Sequence, residues 1–302
     1  MKKLLTILGF TLFLTLTAMG QIATAPFAPP IILEQGEKAY QIPWVEGVNK
    51  VQPTGTGQPS ENRGDKYAKW LKITVRIRNV QYRWYGSGTI CYYDPEKKLA
   101  YVISCGHLFK GSGDSNIDIH CFYKNDKKLD KYQSYPAKLI VYNKDLDISL
   151  LTFTPDWDVD SYAPIMKDDY KMDANKTYYS CGADEAQEIA CYLMKWTGMD
   201  SRSMVLINNA PRHGRSGGGL MDENVNYVGI CWGSTNPDGI GKGGKGMFVP
   251  LTTINSLLKS KGFGWLIDLP NPNDIPARLI PIVDRTGPQK EYPKSYIPLP
   301  PW

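Results

Sequence analysis

The chain has 302 residues, of which 42% are hydrophobic, with 35 basic against 30 acidic side chains. A balance so close to neutral gives no electrostatic footprint for nucleic acid or for an anionic membrane surface. Nineteen tyrosines, 28 glycines and 22 prolines suit an all-β protein of many short strands joined by tight turns.

Residues 1–20 read as a signal peptide. Met1-Lys2-Lys3 is a short basic start, residues 4–17 are apolar, and Ala18-Met19-Gly20 offers the small residues a signal peptidase reads. Cleavage is expected before Gln21, because cutting after Ala25 would place Pro26 beside the scissile bond. The apolar run is short for crossing roughly 30 Å of hydrocarbon. The expectation is therefore a secreted or periplasmic protein with no stable membrane insertion. Residues 21–66 form a Pro/Gly-rich N-terminal segment, broken by Pro26, Pro29, Pro30, Pro43, Pro53 and Pro59.

Ordered packing is expected from about residue 67. Residues 71–80 alternate apolar and polar with period two, the mark of a half-buried strand. Arg76 and Arg78 are then expected on its solvated face. Residues 86–93 and 99–107 flank a polar turn and read as a hairpin, which ends at His107. Strands follow at 117–123, 137–142 and 148–153, the last entered through Asp147. A carboxylate at the mouth of an apolar strand is costly unless hydrogen-bonded, and an imidazole N–H is a suitable donor. Asp145 is expected in a solvated turn. Of the three histidines, His120 lies inside a strand and His213 three residues before Ser216, leaving His107 as the best-placed base.

Further strands are expected at 177–181, 189–196 and 204–208. Gly214-Arg-Ser-Gly-Gly218 is a turn whose glycines permit positive φ and close approach. A serine there is a poor nucleophile without a base and an orienting carboxylate. Residues 254–261 place Ile254, Leu257 and Leu258 on one helical face. The last 37 residues, 266–302, form a Pro-rich C-terminal tail.

Gly86-Ser-Gly-Thr-Ile90, Ile103-Ser-Cys-Gly-His107, Asp147-Ile-Ser-Leu-Leu151, the Ser216 turn and Val228-Gly-Ile-Cys-Trp-Gly233 together resemble the trypsin-like, chymotrypsin-fold serine endopeptidases, nearer their bacterial and viral branches. The resemblance implies two six-stranded antiparallel β-barrels with a short C-terminal helix, filling a domain over residues 67–265. It implies Ser216 as nucleophile, His107 as general base and then acid, and Asp147 as the group orienting the imidazole. The N–H groups of Gly214 and Ser216 would form the oxyanion hole, and Trp232, Gly233 and Ser234 the edge along which a protein or peptide substrate pairs. Arg215 stands where digestive members carry the acid that receives a new N-terminus, so no such activation switch is expected. Cys231 replaces a serine that often supports the carboxylate.

No metal or cofactor is expected, since no Cys–His spacing matches a structural zinc site. Six cysteines in an exported chain invite disulfides, Cys181 with Cys191 closing a small loop among the options. Asp222 and Asp238 are candidates to attract a basic substrate side chain. Two rival readings stand beside the serine endopeptidase. One is a catalytically silent, protease-like binding module. The other is a hydrolase with Cys105 or Cys231 as nucleophile, disfavoured because neither lies in a glycine turn.

Overall fold

The computed structural model describes residues 65–111, 116–235 and 244–272. The expected signal peptide, nearly all of the N-terminal segment, most of the Pro-rich tail and Asp238 lie outside the described residues.

Six antiparallel strands close a barrel: β1 (Thr74–Asn79), β2 (Trp84–Asp94), β3 (Leu99–Ser104), β4 (Ile117–Lys124), β5 (Lys127–Asn143) and β6 (Ile148–Phe153), in the order β1-β2-β3-β6-β5-β4. Closure removes both sheet edges. It packs Val75, Ile77, Ile90, Val102, Ile119 and Leu151 inside, all 0–1% exposed; each such aliphatic side chain contributes about 1.5–3 kcal/mol of burial. The outward face of β1 is covered in part by the loop at Ala186 and Gln187 and by the Phe122 and Tyr132 rings. Arg76 is therefore buried, and the expected solvated strand face is corrected.

The second unit holds β7 (Tyr178–Ala183), β8 (Ile189–Met194), β9 (Trp196–Met199), β10 (Val205–Ile207), β11 (Gly219–Met221), β12 (Tyr227–Ser234) and β13 (Gly246–Pro250). They form a curled seven-stranded sheet, β8-β7-β11-β12-β13-β10-β9, consistent with the second barrel of a trypsin-like fold. The sequence pattern merged β8 with β9 and missed the three-residue β11, whose Gly219 breaks any apolar alternation. A ten-residue helix, Leu251–Ser260, follows Pro250 and buries Leu251, Ile254, Leu257 and Leu258. It starts one turn earlier than expected, since Leu251 also faces inward.

All six cysteines are buried free thiols. Cys181 and Cys191 do face each other across β7 and β8, yet as thiols; no disulfide joins them. Cys91 falls at the bulge between Ile90 and Tyr92, out of register with the strand that leads to Cys105.

Ser87 on β2 joins the two units. Its N–H donates to Ser216 O at 2.8 Å, its Oγ donates to Gly214 O at 2.8 Å and accepts from Ala183 N at 2.8 Å, and its own carbonyl accepts from Ser104 Oγ at 2.7 Å. The seam between the units thus runs through the serine turn.

Candidate active site

His107 sits where β3 ends, in a single 3-10 turn (His107–Phe109). Gly106, just before it, is packed so tightly that a Cβ would stand 2.6 Å from Asn143 O. That close approach draws the Asp147 loop against the histidine. The loop is set by Asn143, whose Oδ1 accepts from the N–H groups of Asp145 (3.0 Å) and Leu146 (2.8 Å). Asp147 follows at φ 55°, and its buried carboxylate receives the backbone N–H of His107 at 2.6 Å and the Nδ1 side of the ring at 2.9–3.0 Å. Asp145 is exposed, as a turn residue should be.

Two contacts to one residue fix the ring's orientation and aim its Nδ1–H at Asp147, which leaves Nε2 as the acceptor of the neutral ring. That nitrogen lies 3.6 Å from Cys105 Sγ. No hydrogen bond joins His107 to Ser216 in this structure. Desolvation disfavours the imidazolium, but Cys105 and Asp147 outweigh it and raise the His107 pKa well above its ordinary value. Burial pushes both the Cys105 and the Cys231 thiols up. Cys231 gives Asp147 no hydrogen bond; among the described residues the carboxylate bonds only to His107.

The serine turn is shaped by Gly214 and Gly217, both at φ 85°. A Cβ on Gly217 would stand 2.9 Å from Cys105 N, so the turn rests directly on the strand end that carries His107. Ser216 is half-buried. Hydrogen bonds from Gly217 N to Cys231 O, Gly218 N to Arg215 O and Cys231 N to Gly218 O, each 2.8 Å, pin the turn to β12. Among the described residues no acceptor meets the N–H of Gly214 or Ser216.

Arg215 points the other way, fully buried. Its Nε donates to Asp184 Oδ1 at 2.7 Å, its other nitrogens to Ser180 O and Ala190 O, and its guanidinium lies 4.1 Å over the Tyr192 ring. Tyr192 OH donates to Asp184 Oδ2 at 2.8 Å. Burial alone would lower the Arg215 pKa; Asp184 overrides it and raises it. Asp184 and Ser87 are residues the sequence reading missed. The one available signal for Asp184 was Arg215 itself, a charge in a glycine turn that had to find a partner.

Among the described residues, β12 has no strand on its β11 side past Ile230. Trp232 falls at a bulge between Cys231 and Gly233, half-buried under the Arg202 guanidinium at 5.2 Å. A side chain at Gly233 would meet nothing within 4 Å. Asp222 is no pocket group: it is buried, and its carboxylate accepts from the N–H groups of Asn224 and Asn226, from Asn226 Nδ2 and from Tyr170 OH.

Residues 86–230 match the family described as "Trypsin-like peptidase domain". Over those residues the chain carries a trypsin-like peptidase domain. Among solved structures it is similar to a serine endoprotease from Yersinia pestis, with a TM-score of 0.50, 13% identity and 65% of each chain covered. It is also similar to an inactive mutant form of a protein from M. tuberculosis H37Rv, with a TM-score of 0.49, 16% identity, and 70% of this chain and 96% of that one covered. The first of these likenesses shows the fold alone. No curated protein sequence matches the chain.

Proposed function

We propose that this trypsin-like peptidase hydrolyses peptide bonds through Ser216, His107 and Asp147. The observation that carries the reading is the His107–Asp147 pair, doubly hydrogen-bonded, set against a glycine turn whose Gly214 and Ser216 N–H groups have no protein acceptor among the described residues. Ser216 Oγ attacks the substrate carbonyl while His107 Nε2 takes its proton, and Asp147 stabilises the resulting imidazolium without taking that proton. The two N–H groups receive the oxyanion, at a point where charge exists only in the transition state. An acyl-enzyme forms and water releases it. For this, Nε2 must exchange the Cys105 sulfur for the serine hydroxyl.

The peptide substrate adds along Trp232, Gly233 and Ser234, where β12 has no strand on its β11 side among the described residues and Gly233 leaves open space. The chain acts outside the cytoplasm after cleavage before Gln21; N-terminal sequencing of exported protein checks this. Labelling by a fluorophosphonate probe tests the chemistry. Wild type should label at Ser216, and Ser216→Ala and His107→Ala should not. A folded wild type that fails to label would favour the silent binding module instead.

One observation favours Cys105 as an alternative nucleophile, its 3.6 Å approach to His107 Nε2. Its complete burial and raised thiol pKa argue against attack on a peptide. Retention of labelling after thiol alkylation separates the two.

A further inference from the structure

Cys105, His107 and Asp147 carry more than hydrolysis uses. Sulfur, ring nitrogen and carboxylate oxygen lie within 4.8 Å of one another, and the Sγ–Nε2 separation is 3.6 Å. Zinc holds a thiolate at ~2.3 Å and an imidazole nitrogen at ~2.0–2.1 Å, so at a tetrahedral angle the two donors stand about 3.6 Å apart. The gap between Sγ and Nε2 is thus the place a cation would take. Asp147 on Nδ1 supplies the outer carboxylate that fixes the tautomer of a metal-ligating histidine and strengthens its free nitrogen as a donor. A sulfur paired with an imidazole selects a soft or borderline ion.

We infer that Cys105 Sγ and His107 Nε2 form a two-residue site for a divalent cation of the zinc class, with Asp147 behind the ring, and that filling this site silences the peptidase. The binding half stands on the geometry alone. The silencing half rests on the proposed hydrolysis, because it removes the Nε2 lone pair that would accept the serine proton.

The exchange balances. The Cys105 S–H bond breaks, its electron pair forms the sulfur–metal bond, and the thiol proton leaves to solvent. Nε2 adds its lone pair, and any proton it carries leaves to solvent with that of the thiol, while the other ring proton stays on the Nδ1 side against Asp147. The His107 side chain keeps 42% of its surface exposed, which gives the ion a path and lets water complete its coordination. Gly106 brings the two donors together: only a residue without a side chain fits between them against Asn143 O. The short Cys-x-His spacing escaped the sequence reading because structural zinc sites draw on four ligands, and this one offers two.

Cobalt(II), a spectroscopic stand-in for zinc, tests the site on the purified full chain. Wild type should bind one ion and show a thiolate-to-cobalt charge-transfer band that zinc abolishes by displacement. Cys105→Ser should lose that band, and both it and His107→Ala should bind at least about tenfold more weakly; Asp147→Asn should weaken binding by about 10–100-fold. Absence of the band in folded wild type would overturn the site, as would zinc affinity unchanged in both ligand variants. His107 is partly exposed, so its variant decides the matter even if Cys105→Ser fails to fold. In a second arm, zinc should block fluorophosphonate labelling of wild type. Zinc binding with undiminished labelling would refute silencing. A wild type that never labels would break the hydrolysis reading, while the cobalt spectrum still settles the site.

Discussion

Two buried arginines hold the same short loop, residues 184–187, from opposite sides and by different physics. Arg215 reaches it from the serine turn and meets a carboxylate, Asp184. Arg76 reaches it from β1 and meets no carboxylate: it donates to Ala186 O and, at 3.3 Å, to Gln187 O, and its Nε and remaining nitrogen sit 3.0 and 2.8 Å from His120 Nδ1. Aromatic rings surround it, Tyr132 at 4.4 Å and Phe122 at 5.3 Å. The electrostatic consequence has opposite sign at the two sites. Burial lowers both guanidinium pKa values, but Asp184 reverses this for Arg215, whereas carbonyls, rings and a neutral histidine leave Arg76 lowered. A paired buried charge is thus held by its partner, and an unpaired one by dipoles and π faces.

The largest expected effect follows from breaking the pair. Arg215→Met leaves Asp184 buried without a counter-charge, and Asp184→Asn leaves the guanidinium so; each should cost about 3–5 kcal/mol, read as a fall in the denaturant midpoint. Joint replacement, Arg215→Met with Asp184→Leu, should recover much of that loss, because the expensive species is the lone charge. If the double variant is as unstable as the worse single one, the pair is a packing element and the contrast with Arg76 collapses. Phosphonate labelling should fall in the single variants too, since Arg215 adjoins Ser216 and Glu185 N donates to His213 O at 2.6 Å, binding loop to turn.

Arg76→Met should cost less, about 1–3 kcal/mol, through two carbonyls left without a donor. It should also be visible at His120. That imidazole is pushed down to about 3, first by burial and then by the Arg76 charge, so removing the arginine should bring its titration part of the way back toward the ordinary histidine value. Carbon-13 or proton shifts of the ring against pH read this directly. An unmoved His120 would mean that burial alone sets it.

The sequence made the motif-bearing half of this arrangement legible and hid the rest. His107, Asp147 and Ser216 sit in local settings that read correctly without a structure: a strand end, a strand mouth and a glycine turn. Gly214 and Gly217 announced themselves because positive φ has a residue preference. Asp184, Tyr192 and His120 had no such mark. Their importance comes from contacts across 31, 8 and 44 residues, and no local pattern encodes a partner at that distance. Arg76 was misread for a related reason. Alternation finds which face of a strand points away from the apolar core, but in a closed barrel the second unit covers part of that face. Nor did composition reveal that the cysteines remain thiols, since cross-strand register brings Cys181 and Cys191 opposite each other without requiring a bond.

The two histidines sharpen the comparison through pH. His120 has a folded pKa of about 3 against roughly 6.5 unfolded. Its contribution is therefore complete above about 6.5 and is lost as pH falls toward 3, at up to about 1.4 kcal/mol per unit. His107 runs the other way. Its pKa is raised in the fold, so its contribution is complete below the unfolded value and disappears as pH rises through the folded one. Urea midpoints at pH 7.5, 6.5 and 5.5 should show a decline on the acid side that His120→Gln flattens and His107→Ala does not. A decline untouched by His120→Gln would assign acid sensitivity to carboxylates instead.

The smallest effect belongs to a third grip near the same loop. Lys128 reaches Glu188 at 3.2 Å, with the two side chains 48% and 44% exposed. Lys128→Ala should change stability by less than about 1 kcal/mol, and added salt should erase even that. The distance is close to that of the Arg215–Asp184 contact and the charges are of the same kind, so the difference in outcome isolates burial as the cause. Should Lys128→Ala prove as costly as Arg215→Met, solvent exposure would not be what separates these grips. The loop would then have to be held by the sum of all three, with no single contact dominant.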